Sequence, residues 1–199
     1  MKHFDKILAV ILVAVIAVLG ARALWNDRTC ADRDDAAARL ISRHYGGQLN
    51  GKGVSVIAAQ ILSGGADTEY TIKAFEATEV GKVGMAVFRK TEGGKLALED
   101  CRIWPGGQQV HGMNHVSLYD AEKQAQKTYN VFLVMDENIR SMEETRYLSA
   151  GEQLPPGRAE GLSAPCIAAF AEPEPSFAYH TGDYVCYNAQ EQPFVLRIW

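Results

Sequence analysis

The sequence predicts an α+β protein: an N-terminal apolar helix, then a helix with a four-stranded antiparallel meander, then a small mostly-β, sandwich-like module. Three patterns carry this. Residues 7–19 form an unbroken apolar run, and Ala37, Leu40, Ile41 and His44 or Tyr45 recur at helical spacing within residues 27–45. From residue 53 onward, short apolar runs are cut by glycine pairs and prolines.

Residues 1–26 read as an export signal or a membrane anchor. Lys2 and Lys6 outweigh Asp5 in the lead, residues 7–19 carry no polar side chain, and Ala21-Arg22-Ala23 follows Gly20. A basic lead, a short apolar core and an Ala-x-Ala site make an export signal. The apolar run is shorter than the ~17–25 residues of a strict span. Residues 4–25 would still cross a bilayer with Arg22 snorkelling outward and Trp25 at the interface. Two readings stand. A signal cleaved after Ala23 leaves a secreted or periplasmic protein. An uncleaved helix makes the membrane a partner through residues 7–21, single-pass, with the N-terminus in the cytoplasm. Both place residues 27–199 outside the cytoplasm.

Residues 27–45 suit a helix, with Asp32, Asp34 and Asp35 loading the start, Ala36, Ala37 and Ala38 within, and Gly46-Gly47 as the stop. Four strands are expected at 53–62, 69–79, 82–90 and 95–104. Tyr70, Ile72 and Ala74 share one face of the second, and Val83, Met85 and Val87 one face of the third. Short turns at Ser63-Gly64-Gly65, Gly81 and Glu92-Gly93-Gly94 make neighbours antiparallel. Residues 27–104 thus form the helix-plus-sheet module, closed by Pro105-Gly106-Gly107.

Residues 105–199 read as a β-rich acidic module. Its span holds six basic and twelve acidic residues, whereas residues 27–104 hold eleven of each. Residues 120–127 suit a short helix with Ser117 and Asp120 as a capping pair, and 131–135 a strand. Residues 137–147 fit either state, and 151–165, rich in Pro and Gly, a loop. Strands are expected at 166–170, 176–180, 184–187 and 194–198, with Phe170, Phe177, Tyr179, Tyr184, Tyr187 and Phe194 alternating with smaller side chains.

Cys30, Cys101, Cys166 and Cys186 are an even set in a chain read as exported, so disulfides are expected. Cys166–Cys186, flanking a hairpin-like segment, is the favoured pair, with Cys30–Cys101 second. No Cys-x-x-Cys occurs, which leaves thioredoxin-like chemistry and zinc ribbons unsupported.

His111 and His115, four apart, are the nearest approach to a metal motif, with His180, Asp120 and Asp183 as distant co-ligands. Gly112 and Asn114 place the pair in a loop, and no carboxylate stands at ligand spacing beside it. Gly161-Leu-Ser163-Ala-Pro165 lacks the second glycine of a nucleophile elbow. Glu99-Asp100, Asp136-Glu137 and Glu143-Glu144 are adjacent in sequence, so in extended segments they point to opposite faces. No glycine pattern suits a nucleotide, no cofactor is expected, and a net charge of −4 argues against nucleic acid.

The outline of an apolar N-terminal helix, a meander and a late cysteine loop resembles type IV pilins, and a pilin-like subunit is a minor alternative. Their Gly-Phe junction is missing, since Phe4 follows His3, and no glutamate interrupts residues 7–19. The leading expectation is an exported, membrane-tethered, non-catalytic binding or accessory domain with an unidentified protein partner. The alternative is an extracytoplasmic hydrolase or metal-dependent enzyme with a site assembled from distant residues.

Overall fold

Strand-forming residues dominate the chain, and the computed structural model is mostly β, with three antiparallel sheets and short helices. It describes residues 11, 13–17, 20, 28–49, 53–63, 69–120, 125–172 and 179–194. The α+β class is therefore corrected. A helix with a meander accounts for one layer only, and long-range strand pairing builds the rest.

The first sheet holds β1 (Thr29–Ala31), β2 (Val54–Ser63), β3 (Glu69–Ala77), β4 (Lys82–Lys90) and β5 (Lys95–Pro105), in the order β1-β5-β4-β3-β2. β3 and β4 join through a 3₁₀ turn at Thr78–Val80, closed by Gly81 at φ 60°, where a Cβ would be strained. One face of this sheet carries α1 (Asp34–His44) and α2 (Gly46–Leu49). Leu40, Ile41 and Leu49 bury there against Phe75, Phe88, Leu96 and Leu98. Each such side chain removed from water contributes about 1.5–3 kcal/mol.

The helix is shorter than expected. It starts at Asp34, and Thr29–Ala31 is a strand paired with residues 95–97 of β5. The physical reason lies in Asp34 and Asp35, which occupy the first turn where the helix dipole favours them.

The second sheet is β10 (Cys166–Ala171), β7 (Ala125–Val134) and β6 (Val110–Asp120). Its Met113, Leu118, Val131, Leu133 and Ile167 pack on the free face of the first sheet, against Ile72, Met85 and Val87. Residues 105–107 therefore mark a change of sheet within a shared core. The third sheet, β12 (Pro193–Phe194), β11 (Tyr179–Tyr187), β8 (Ser141–Leu148) and β9 (Gln153–Glu160), covers the other face of the second. Phe132, Phe170 and Tyr184 meet between them, Phe132 and Tyr184 with ring centroids 4.4 Å apart. The order is helix, sheet, sheet, sheet, in place of a sandwich leaning on an α+β unit.

Three local expectations in this half are also corrected. Asp120 and residues 125–127 belong to the β6–β7 hairpin and not to a helix, with Asp120 opposite Ala125. Residues 121–124 lie outside the described residues. The segment read as a proline-rich loop contains β9, whose Pro155 and Pro156 are tolerated because β9 is an edge strand. His111 and His115 lie in β6 and not in a loop.

The expected disulfides do not form: all four cysteines are free thiols. Cys30 sits opposite Leu96, five positions along β5 from Cys101, while Cys166 and Cys186 belong to different sheets. They pack as small apolar side chains. Burial, with Asp100 beside Cys101 and Asp136 near Cys186, pushes both of those thiols up to about 12.

The anchor reading is corrected as well. Among the described residues no helix is long and apolar enough to cross a membrane. Of the apolar run, Ile11 and residues 13–17 are described and helical; residues 7–10, 12, 18 and 19, and Ala21-Arg22-Ala23, lie outside the described residues.

Candidate functional site

α1 buries Ala37, Leu40 and Ile41 and turns a second face toward β2. That face carries Asp35, Ala38, Arg39, Ser42 and Arg43, spaced three and four residues apart. With Gly53 and Val54 at the start of β2, these residues line an open groove of about 590 Å³. Arg39 donates to Asp35 at 2.5 Å across one helical turn, and Arg33 approaches the same carboxylate at 3.3 Å. The Arg39 side chain is 65% exposed, so its guanidinium remains open to a ligand. Arg39 and Arg43 share this wall with Asp35, and the Glu79 side chain lies against Gly53.

The helix that forms this wall is fastened from below. Lys73, buried on the helix-facing side of β3, donates to Asp34 at 2.7 Å and lies 3.8 Å from Asp32. A buried ammonium needs such partners, and these sit at the start of α1. The pairing fixes where the helix begins over the sheet, and so the depth of the groove.

The sequence-predicted residues do not assemble into a site. His111 is 1% exposed and faces the first sheet, stacked at 5.4 Å on Trp104. Its two ring nitrogens have no hydrogen-bond partner among the described residues. Burial lowers its pKa. The side chains of His115, His180 and Asp120 lie outside what is described; His180 and Asp183 stand on β11, in the third sheet, away from the face that holds His111. Among the described residues no group of three or more His, Cys, Asp or Glu side chains could hold a metal ion. Ser163 is exposed and leads into β10, not a helix, so the elbow geometry is absent.

Of the adjacent carboxylates, Glu143-Glu144 lies in a strand and only Glu144 is buried, Glu99-Asp100 falls at the irregular step of β4–β5 with both exposed, and Asp136-Glu137 lies in a turn. Glu144, fully buried, accepts from Arg146 at 2.6 Å, Tyr184 at 2.7 Å and Asn130 at 3.2 Å. This network ties the second sheet to the third. Gly157 makes room for it: a Cβ there would meet the Arg146 guanidinium. Asp136 is a turn residue, accepting from Asn138 and Gln109.

No family model, curated protein or solved structure matches the chain. The functional reading therefore rests on the groove itself. Its residues were not singled out in the sequence. The signal that could have found them is Arg39, Ser42 and Arg43 at helical spacing beside the apolar face, on a helix whose first turn carries Asp34 and Asp35.

Proposed function

We propose that this protein is a non-catalytic binding domain that receives a carboxylate-bearing partner in the groove between α1 and β2. The observation that carries this is the pair Arg39 and Arg43, one helical turn apart on one wall, with the Ser42 hydroxyl beside them. Planar guanidinium groups match carboxylates two bonds at a time. Exposed ion pairs contribute only about 0.2–1 kcal/mol each, so binding here depends on several contacts at once. The enzyme reading has less support. Its best candidate base, His111, is sealed in the core beside Trp104, and no carboxylate hydrogen-bonds to it among the described residues.

The test is fluorescence anisotropy with a fluorescein-labelled hexaglutamate peptide at low salt. Saturable binding is expected, weakened at least fivefold by Arg39→Gln with Arg43→Gln and weakened again by added salt. Equal binding of hexalysine, or no change in the double variant, would remove the groove from the account.

A further inference from the structure

β2 ends the first sheet: it pairs with β3 on one side, and among the described residues no strand pairs with it on the other. Its ten residues, Val54–Ser63, include no charge and no proline. Ala59, Gln60 and Ile61 are exposed, Ile61 at 61%. In the first and third sheets the other ends are guarded: β1 has three residues, β12 has two, and β9 carries Pro155, Pro156 and Arg158, whereas β10 and β6, the ends of the second sheet, carry no proline. Short strands, prolines and charges are the usual means of stopping unwanted strand addition. β2 carries none of these beyond one bulge between Val56 and Ala58, past which six residues run regularly to Ser63.

We propose that β2 is a docking edge for an extended segment of a partner protein, which adds to the first sheet as a further strand. The segment carries an apolar side chain against Ile61 and an acidic one in the Arg39–Arg43 groove. The acidic end rests on the groove reading above; the strand addition does not.

Register supports one ligand spanning both features. Val54 pairs with Ala77 and Ile61 with Thr71, so β3 covers in six steps what bulged β2 covers in seven. An even step count keeps side chains on one face. Val54 packs in the core under α1, and the partners of Ala59 and Ile61, Lys73 and Thr71, alternate with the residues that face the second sheet. Ile61 thus emerges on the same face as the groove. A partner in the register of β3 would present its apolar and acidic residues six positions apart, a span of about 20 Å at ~3.3 Å per residue. Its backbone would satisfy the groups on the open side of β2.

The experiment selects a phage-displayed library of random twelve-residue peptides on the purified full chain. The expected ligands pair an apolar with an acidic residue six positions on. N-methylation of alternate backbone amides should weaken them at least tenfold, because it removes strand bonds and keeps the side chains. Ile61→Lys should weaken them tenfold while hexaglutamate binding stays within twofold. Arg39→Gln with Arg43→Gln should remove the acidic preference and leave extended apolar peptides bound. Recovery of no peptide, indifference to N-methylation, or a dimer in sedimentation that Ile61→Lys dissolves would each overturn the strand-addition claim. Loss of hexaglutamate dependence on the arginines alone would overturn only the groove.

Discussion

The Trp104 indole and the His111 imidazole lie 5.4 Å apart with planes inclined by 30°, the imidazole buried and the indole half-buried. Both imidazole nitrogens are buried and have no partner among the described residues. Burial alone depresses the His111 pKa; Asp100 and Arg102, on the strand that carries Trp104, do not contribute to the shift. Unfolding restores a value near 6.5. The unfolded chain therefore takes up a proton that the folded chain resists. Stability should be full above about pH 6.5 and should fall as pH drops through the depressed folded value. Urea unfolding at pH 7.5 and pH 5 checks the direction. His111→Leu should flatten this dependence and raise stability at pH 7.5 by about 1 kcal/mol, since it removes an unsatisfied buried polar ring.

Glu144 should be the most costly carboxylate to remove. Glu144→Ala strands Arg146, Tyr184 and Asn130 at the interface of the second and third sheets. One-sided removal of a buried, bonded ion pair costs about 3–5 kcal/mol. Chemical denaturation should show that loss, whereas Glu143→Ala, next in sequence and on the opposite face, should change stability by less than about 0.5 kcal/mol.

Gly84 stands within β4 where the Phe75 ring lies over its Cα. A Cβ there would also crowd the Arg102 carbonyl, which is backbone and cannot swing away. Gly84→Ala should cost about 1–3 kcal/mol by overpacking. A thermal melt of the variant measures this directly.

The strand runs of the first half were legible because glycines at 64–65, 81 and 93–94 punctuate segments with clear alternation. Strands 54–63, 69–77, 82–90 and 95–105 stand close to where the pattern placed them. What the pattern lacks is layering. β1 has no periodicity of its own in three residues and exists through its pairing with β5. β9 hides behind Pro155 and Pro156, which local reading takes for a loop. Gly112 and Asn114 suggested a loop for His111, yet Gly112 sits opposite Phe132 in a ladder formed across the hairpin. The groove was half legible: its arginines follow helical spacing, but the nearness of Gly53 and Val54 depends on how the helix seats on Lys73.

Cysteine counting failed for a related reason. An even number permits pairing but does not bring the residues together, and Cys166 and Cys186 are held on different sheets. With thiols pushed up to about 12 by burial, Cys101 and Cys186 should resist iodoacetamide at pH 8 in the folded protein. Mass spectrometry after unfolding should find four alkylated cysteines, and a disulfide-linked peptide in a non-reducing digest would contradict the arrangement.

The groove between α1 and β2 is the centre of this account, and an amide-resolved NMR titration with hexaglutamate tests it most directly. Shifts should concentrate at residues 35–43 and at Gly53 and Val54, saturate together, and vanish in the Arg39→Gln, Arg43→Gln variant. Shifts confined to other surfaces, or an unchanged spectrum at saturating peptide, would contradict a binding function for this groove.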